Sequence, residues 1–391
     1  MSGTRVIVIG AGIVGAACAR ELADAGCAVT VLDRDGPAGA TSAHGEGNVL
    51  VSDKGPGPEL DLALWSARLW PQVLADIAER GPIDITRVEW EPKGGIVVAT
   101  TDDGAAGLRA FAAAQRSGGV RLTELDRDAL ADAEPYLTDE VTAAFHYPQD
   151  AQVQPAAATT VLLAAAVAAG ARVHANCEVL GGDARELHTS TGTFSADAVV
   201  NAAGPWAGTV ARRLGAPIAV RPRRGEILVT TPQPPTVFHK VYDADYVGAV
   251  GSDSSAVRTS AVVESTRAGT ILLGSSRSQV GFDDRLRPDV LAAIAAKALR
   301  LFPCLADVAV MRAYGGFRPY VPDHLPVIGA DPRVPWLWHA GGHEGAGIGL
   351  SVGTARLLRQ LLVGEPSELD STPFRVDRPA VLDVAADGSP R

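Results

Sequence analysis

Apolar residues near the start of the chain come in unbroken runs rather than alternating with polar ones. Arg5–Ile9 (RVIVI) and Ala28–Leu32 (AVTVL) have no polar face, the pattern of strands covered on both sides. Between them, Ala16–Ala25 has helical character. Strand, helix, strand in that order predicts a parallel βαβ unit. The longest apolar run, AAATTVLLAAAVAAGA (156–171), is too short and too rich in alanine to span a bilayer. It predicts a buried helix with Pro155 in its first turn and Gly170 at its end. Four β-rich stretches, Val88–Thr100, Glu226–Thr231, Ala261–Ser265 and Thr270–Ser275, break the α/β alternation. They predict a second domain on a larger antiparallel or mixed sheet, inserted between pieces of the first. Residues 230–258 are turn-rich and form a candidate lid. Apolar periodicity is lost after about residue 376, so residues 377–391 are expected to fray.

Composition narrows the function classes. The 391 residues are 47% hydrophobic and 20% charged, an ordinary globular balance at a length that favours two domains. A net charge of −10 argues against nucleic acid and against anionic membrane surfaces, because phosphate binding needs a basic face. Cys18, Cys27, Cys177 and Cys304 have no C-x-x-C spacing, so neither a metal knuckle nor an iron–sulfur cradle is expected. MSGTRVIVIG enters a strand directly, without an apolar leader, and with the scattered thiols this points to a cytoplasmic protein.

The chemistry lies in the glycines. Gly10, Gly12 and Gly15 follow the first strand in G-x-G-x-x-G spacing, and Asp33 ends the second strand. Such glycines permit a tight turn, close approach of a pyrophosphate and close helix–strand packing. Asp33 is placed to accept from ribose hydroxyls, and its charge would repel a 2′-phosphate. A second cluster, AGGHEGAGIGL (340–350), carries five glycines in eleven residues and opens another amphipathic helix. A glycine-rich turn before a helix receives negative charge, since the backbone N–H groups and the helix dipole point at it. Two further segments favour a flavin over a nicotinamide: the hydroxyl-rich loop GPAGATSAHGEGNVL (36–50), and ADAVVNAAGPWAG (196–208), whose Ala202, Ala203 and Gly204 leave room for a flat ring.

Seven motifs, in order, resemble the D-amino-acid oxidase superfamily of FAD-dependent amine and amino-acid oxidoreductases, which includes glycine oxidase and sarcosine oxidase. They are the dinucleotide turn, TSAHGEGN (41–48), VVNAAGPW (199–206), RPRRGEILVT (221–230), GTILLGSSR (269–277), GGFRPYVPDHLPVIG (315–329) and GGHEGAGIGL (341–350). The resemblance implies an α/β fold: a Rossmann-type FAD-binding domain, with an interleaved α+β substrate domain on a large mixed or antiparallel sheet. The expected FAD-binding pieces are 1–86, 145–225 and 311–376, and the substrate-binding pieces 87–144 and 226–310. It also implies that Ile13 and Val14 lie against the pyrophosphate and Asp33 and Arg34 against the adenosine, with Val179 reaching the adenine through its backbone. Ala40, Thr41, Ser42, Gly47 and Asn48 would line the middle of the cofactor, with Ala203, Gly204 and Trp206 beside it. His343, Glu344, Gly345, Ala346, Gly347, Ile348 and Gly349 would surround the pyrimidine edge.

Where sarcosine oxidases carry a flavin-linking cysteine this chain has Gly316, so a thioether there is excluded and a non-covalent FAD is expected. His44, roughly where dimethylglycine dehydrogenases carry a linking histidine, is the minor alternative. Arg318 is expected to grip a substrate carboxylate through paired hydrogen bonds, its structural alternative being a salt bridge to Asp323. His239, Tyr242 and Tyr246 are further pocket candidates. The implied reaction is oxidation of the C–N bond of glycine, sarcosine, proline, hydroxyproline or an opine, by hydride transfer to flavin N5. The alternatives are a 2-hydroxy-acid oxidoreductase using His343 as base, and a flavin-holding structural subunit. Leu272 occupies about the place of an oxygen-activating lysine of sarcosine oxidases. GHEGAGIGL and GEGNVLVSDK also look like the flavin subunits of opine, hydroxyproline and cyanide-forming glycine dehydrogenases. Both features point to a dehydrogenase that passes electrons to an iron–sulfur or second flavin subunit, with any cluster on the partner.

Overall fold

The computed structural model describes residues 3–244 and 256–382. The expected βαβ unit forms from strand Arg5–Ile9, helix Ile13–Asp24 and strand Ala28–Leu32. Arg5–Ile9 runs through the middle of a six-stranded sheet, parallel to Ala28–Leu32 on one side and to Ala198–Asn201 on the other. Arg172–His174 and Val334–Gly341 continue it in parallel, and Val327–Asp331 closes one edge antiparallel. The unbroken apolar runs follow from cover on both faces. Val6, Val8, Val29 and Val31 belong to the same core as helices Ile13–Asp24, Pro155–Ala168 and Gly347–Val363. Ile7, Ile9, Leu32 and Val199 pack on the other side with Val179 and Leu187, from the three-stranded meander Val179–Gly182, Leu187–Thr189 and Gly192–Phe194.

The alanine-rich helix spans Pro155–Ala168 and is covered on one side rather than all round. Val161, Leu162, Leu163 and Ala166 are buried, whereas Val167 is exposed. Among the described residues no helix is long and apolar enough to cross a membrane. Cys18, Cys27 and Cys177 are buried free thiols, and Cys304 is a free thiol at the surface.

The second sheet has eight strands in the order Val310–Tyr320, Arg221–Thr230, Ile271–Arg277, Arg258–Ser265, Lys240–Asp243, Gly95–Ala99, Ala143–Tyr147 and Thr123–Glu124. Among the described residues, Lys240–Asp243 with Gly95–Ala99 is its one parallel pair. Helix Pro288–Leu301 covers one face: Val290, Ile294, Ala298 and Leu301, one helical stripe, meet Ile96, Val98, Val241, Val263 and Leu273. The sheet takes in residues expected in the FAD-binding part. Arg221–Thr230 and Val310–Tyr320 pair along their lengths, from Arg221 opposite Tyr320 to Thr230 opposite Val310, and Ala143–Tyr147 joins as well. The first residues of that long strand pair, RPRR, carry no apolar alternation, so the strand starts earlier than the apolar pattern indicates.

The C-terminal segment does not fray where expected. Val376 and Val381 are buried with Val220, Val321 and Val327, and Pro379–Leu382 is helical. Arg378 pairs with both carboxylate oxygens of Asp323 and donates to the carbonyls of Leu325 and Pro326. Two valines and one guanidinium anchor a stretch that lacks periodicity. Residues 383–391 lie outside the described residues.

Candidate functional site

The carboxyl ends of four parallel strands converge on one cleft, the place where open α/β sheets receive ligands. Ile9, Leu32, Ala202 and Ala340 from those strand ends line it, and it holds about 1720 Å³ of empty space, part of it open to solvent. Gly10 supplies the turn. Its φ is +111°, and an added Cβ would strike the Ala202 carbonyl; a Cβ on Gly15 would strike the Gly10 carbonyl. The chain at this turn therefore lies closer to its neighbours than any side chain permits.

Two helices point their N-termini at the same cleft. Gly12, Ile13 and Val14 line it at the start of Ile13–Asp24; Gly345, Gly347 and Ile348 line it at the start of Gly347–Val363. Neither N-cap residue, Gly12 or Ala346, caps its helix with a side chain. Ser42 Oγ, from the adjoining loop, accepts the Ile13 N–H at 2.9 Å. Each helix start carries roughly half a positive charge, so the cleft is electropositive at two separated places.

Asp33 lines the cleft beside the first of them. Its Oδ2 accepts the Ala11 N–H at 2.7 Å and its Oδ1 the Asp35 N–H at 2.9 Å, which fixes the carboxylate beside the glycine turn. The Arg34 guanidinium sits 4.0 Å above the Trp206 ring, which stacks on Phe282. Across the cleft, the large sheet contributes Gly225 directly opposite Gly316, flanked by Ile227 and Arg318. Arg318 lies over Gly225: a Cβ there would collide with its guanidinium. Its Nη1 donates to the Ser276 carbonyl at 2.8 Å, fixing one tip of the fork. The expected alternative partner, Asp323, belongs to Arg378 instead.

Most expected site residues meet here: Gly10, Gly12, Ile13, Val14, Asp33, Arg34, Ala40, Thr41, Ser42, Asn48, Val179, Ala203, Gly204, Trp206, Arg318, His343, Glu344, Gly345, Gly347 and Ile348 line the cleft. Gly15, Gly47, Ala346 and Gly349 do not. Gly15 and Gly47 face backbone carbonyls, of Gly10 and Val153 respectively. Ala346 packs against the main core, and the Gly349 carbonyl accepts from Ser66 and Trp70. Tyr242 is fully buried and donates to Ser52, His239 pairs with Glu134, and neither lines the cleft. Tyr246 lies outside the described residues. Leu272 is buried against Ile227, Val229 and Tyr314.

His343 is 2% exposed, with Nε2 at 2.9 Å from Thr354 Oγ1, and burial pushes its pKa down to about 4. Its imidazole is therefore neutral near pH 7. Glu344 is the opposite case. Burial opposes its charge, but the hydrogen bond with His324 and the Arg277 and Arg223 guanidinium groups outweigh it and hold the carboxyl below the usual range. His44 lines the cleft with Nδ1 2.7 Å from the Ala40 carbonyl. Its Cβ leaves no room for a side chain at Gly316, which explains the glycine there.

Several groups were not singled out from the sequence. Glu46, between Gly45 and Gly47, lines the cleft and pairs with Lys240, itself bonded to Glu264. A lone acid within a glycine-rich loop was the available signal. Gly225, within RPRRGEILVT, is the sequence signal for the sheet's side-chain-free patch.

The residues present fit a dinucleotide carrying a flat ring: two helix N-termini, a fixed carboxylate beside a glycine turn, and a cleft roofed by paired glycines. Comparison with known proteins agrees. Residues 5–361 match the model of the DAO family, described as FAD dependent oxidoreductase. Glycine oxidase of Geobacillus kaustophilus is 29% identical over 384 residues, covering 95% of this chain and 96% of that protein. The hydrogen cyanide synthase subunit HcnC of Pseudomonas aeruginosa is 26% identical, covering 97% of this chain and 98% of that protein. The crystal structure of the Geobacillus kaustophilus glycine oxidase superposes with a TM-score of 0.86 at 27% identity, covering 96% of this chain and 99% of that one.

Proposed function

The chain belongs to the DAO family of FAD-dependent oxidoreductases, and from that premise we propose that it oxidises the C–N bond of a small amino acid or secondary amine whose carboxylate is held by Arg318. The observation that carries this reading is the Arg318 guanidinium, which lines the cleft over Gly225 with Nη1 on the Ser276 carbonyl, a fork of the shape that matches a planar anion. When bound, FAD supplies the hydride acceptor. The N-termini of Ile13–Asp24 and Gly347–Val363 hold its negative charges, Asp33 takes ribose hydroxyls, and no covalent bond is involved. Arg318 fixes the substrate's α-carbon, and the Gly225–Gly316 pair leaves it room.

His343 separates this reading from a 2-hydroxy-acid oxidoreductase. Removing hydride from a C–OH carbon requires a base for the hydroxyl proton, whereas a neutral amine supplies its own lone pair. A buried imidazole turned to Thr354, with a pKa near 4, is a poor base. We assign the electrons to a partner protein. Leu272, in an apolar cluster at about the place of the oxygen-activating lysine of sarcosine oxidases, and the similarity to a subunit of hydrogen cyanide synthase support this.

The test is anaerobic mixing of the FAD-loaded protein with glycine, sarcosine, proline, hydroxyproline stereoisomers, opines and the matching 2-hydroxy acids. Bleaching of the visible flavin band by an amine and not by its hydroxy analogue is expected; the reverse pattern overturns the reading. Re-oxidation faster by an artificial dye than by air is expected if a partner protein is the acceptor.

A further inference from the structure

The loop residue Glu46 is buried, yet half of its carboxylate is unengaged. Oε2 accepts from Asn48 Nδ2 at 2.9 Å and from Lys240 Nζ at 3.4 Å, whereas Oε1 has no hydrogen-bond partner among the described residues. An ionised oxygen out of water and without a donor is costly, so its persistence beside a ligand cleft asks for a visiting donor. The carboxylate is built into place. Gly274 in the large sheet makes room for Oε1, since a Cβ at that position would strike it. Lys240, 2% exposed, reaches Glu46 from behind while its shorter bond, 2.8 Å, goes to Glu264. Burial opposes the Glu46 charge, but Lys240, the Asn48 hydrogen bond and Arg318 outweigh it, so the group stays ionised at neutral pH. For Glu264 burial prevails over Lys240 and raises the pKa. Glu46 is thus an anion among the residues that line the cleft.

Arg318 is near enough to influence Glu46, and both line the same cleft. One carries the cation that suits a carboxylate; the other carries an anion whose Oε1 has no donor among the described residues. We infer that the Glu46 carboxylate receives the positively charged nitrogen of the substrate, so that the cleft selects a zwitterion with its carboxylate on Arg318 and its ammonium on Glu46, one ammonium proton passing to Glu46 to leave the neutral amine that is oxidised. This rests on the carboxylate-binding role assigned to Arg318. A neutral hydroxyl in the ammonium's place leaves the Glu46 charge uncompensated, so the pair discriminates against 2-hydroxy acids at the binding step.

The test uses two ligands of one shape that cannot turn over, because neither carries an α-hydrogen: 2-aminoisobutyrate and 2-hydroxyisobutyrate. Each is titrated into the FAD-loaded enzyme, and its dissociation constant is read from the change in the flavin spectrum. The wild type is expected to bind the amino compound at least tenfold more tightly, and Glu46→Gln to lose that preference while retaining its affinity for the hydroxy compound within about threefold. Equal binding of the two by the wild type, or a preference that survives in Glu46→Gln, overturns the inference and leaves the Arg318 reading intact. Failure of both ligands to perturb the wild-type flavin sinks both. Should Glu46→Gln not load FAD, Gly274→Ala, which forces Oε1 out of its place, is expected to abolish the preference, and its survival there overturns the inference equally.

Discussion

Replacing Arg318 by methionine removes the guanidinium while keeping much of its apolar stem. A carboxylate held by two charge-assisted hydrogen bonds gains about 1.5–3 kcal/mol from each. The half-buried position of Arg318 and the commitment of Nη1 to the Ser276 carbonyl reduce what a substrate can draw from it. An expected loss of about 3–4 kcal/mol follows, which is roughly 10²- to 10³-fold in kcat/KM. Arg318→Lys restores a point charge without the fork and should recover about 1 kcal/mol of that. The assay is anaerobic stopped-flow bleaching of the flavin by the best amine substrate, with FAD content measured on the same samples. Arg318 lies in the sheet across the cleft from the first glycine turn, so FAD loading is expected to persist. Arg318→Met that is fully loaded and retains kcat/KM within fivefold of wild type would refute the carboxylate clamp.

Two more outcomes follow from buried groups. His343→Gln should leave the kcat/KM profile between pH 6 and 9 unchanged in shape, because a histidine titrating near 4 contributes no ionisation there; loss of a limb of that profile would revive His343 as a base. Asp150 is buried, accepts from Val51 N, Ser52 N and Ser52 Oγ, and is pushed up to about 7 chiefly by burial. Its folded pKa lies above the unfolded value of about 4, so the folded state holds the proton longer. That stabilisation is full below about pH 4 and is lost as pH rises to 7, with an upper bound of order 4 kcal/mol. Melting curves should show wild type losing stability over this range more steeply than Asp150→Asn; parallel curves would contradict the assignment.

The legible parts of this molecule are those with local grammar. Arg5–Ile9, the helix after it and Ala28–Leu32 announce themselves by apolar runs and glycine spacing, and Asp33 by its place at a strand end. The resemblance carried Arg318, whose motif has few substitutes. Glu46 and Lys240 escaped because their meeting is tertiary: 194 residues separate them, and neither stands in a periodic pattern. Gly225 and Gly316 could be read singly as turn residues. Only the register that sets them opposite each other turns them into a flat roof. Tyr242 misled for the reverse reason, since an aromatic in a turn-rich stretch suggests a pocket wall, whereas here its hydroxyl closes a buried bond to Ser52. The tail misled because two buried valines and the Arg378–Asp323 pair hold it without any helix-length pattern.

The central claim is that two helix N-termini, more than three hundred residues apart, hold opposite ends of one FAD. Titration of apoprotein with FAD, followed by calorimetry, measures this directly. One FAD per chain, displaced in part by ADP and not by NAD, is the predicted result. A chain that takes up no FAD, or that binds NAD in its place, would contradict it.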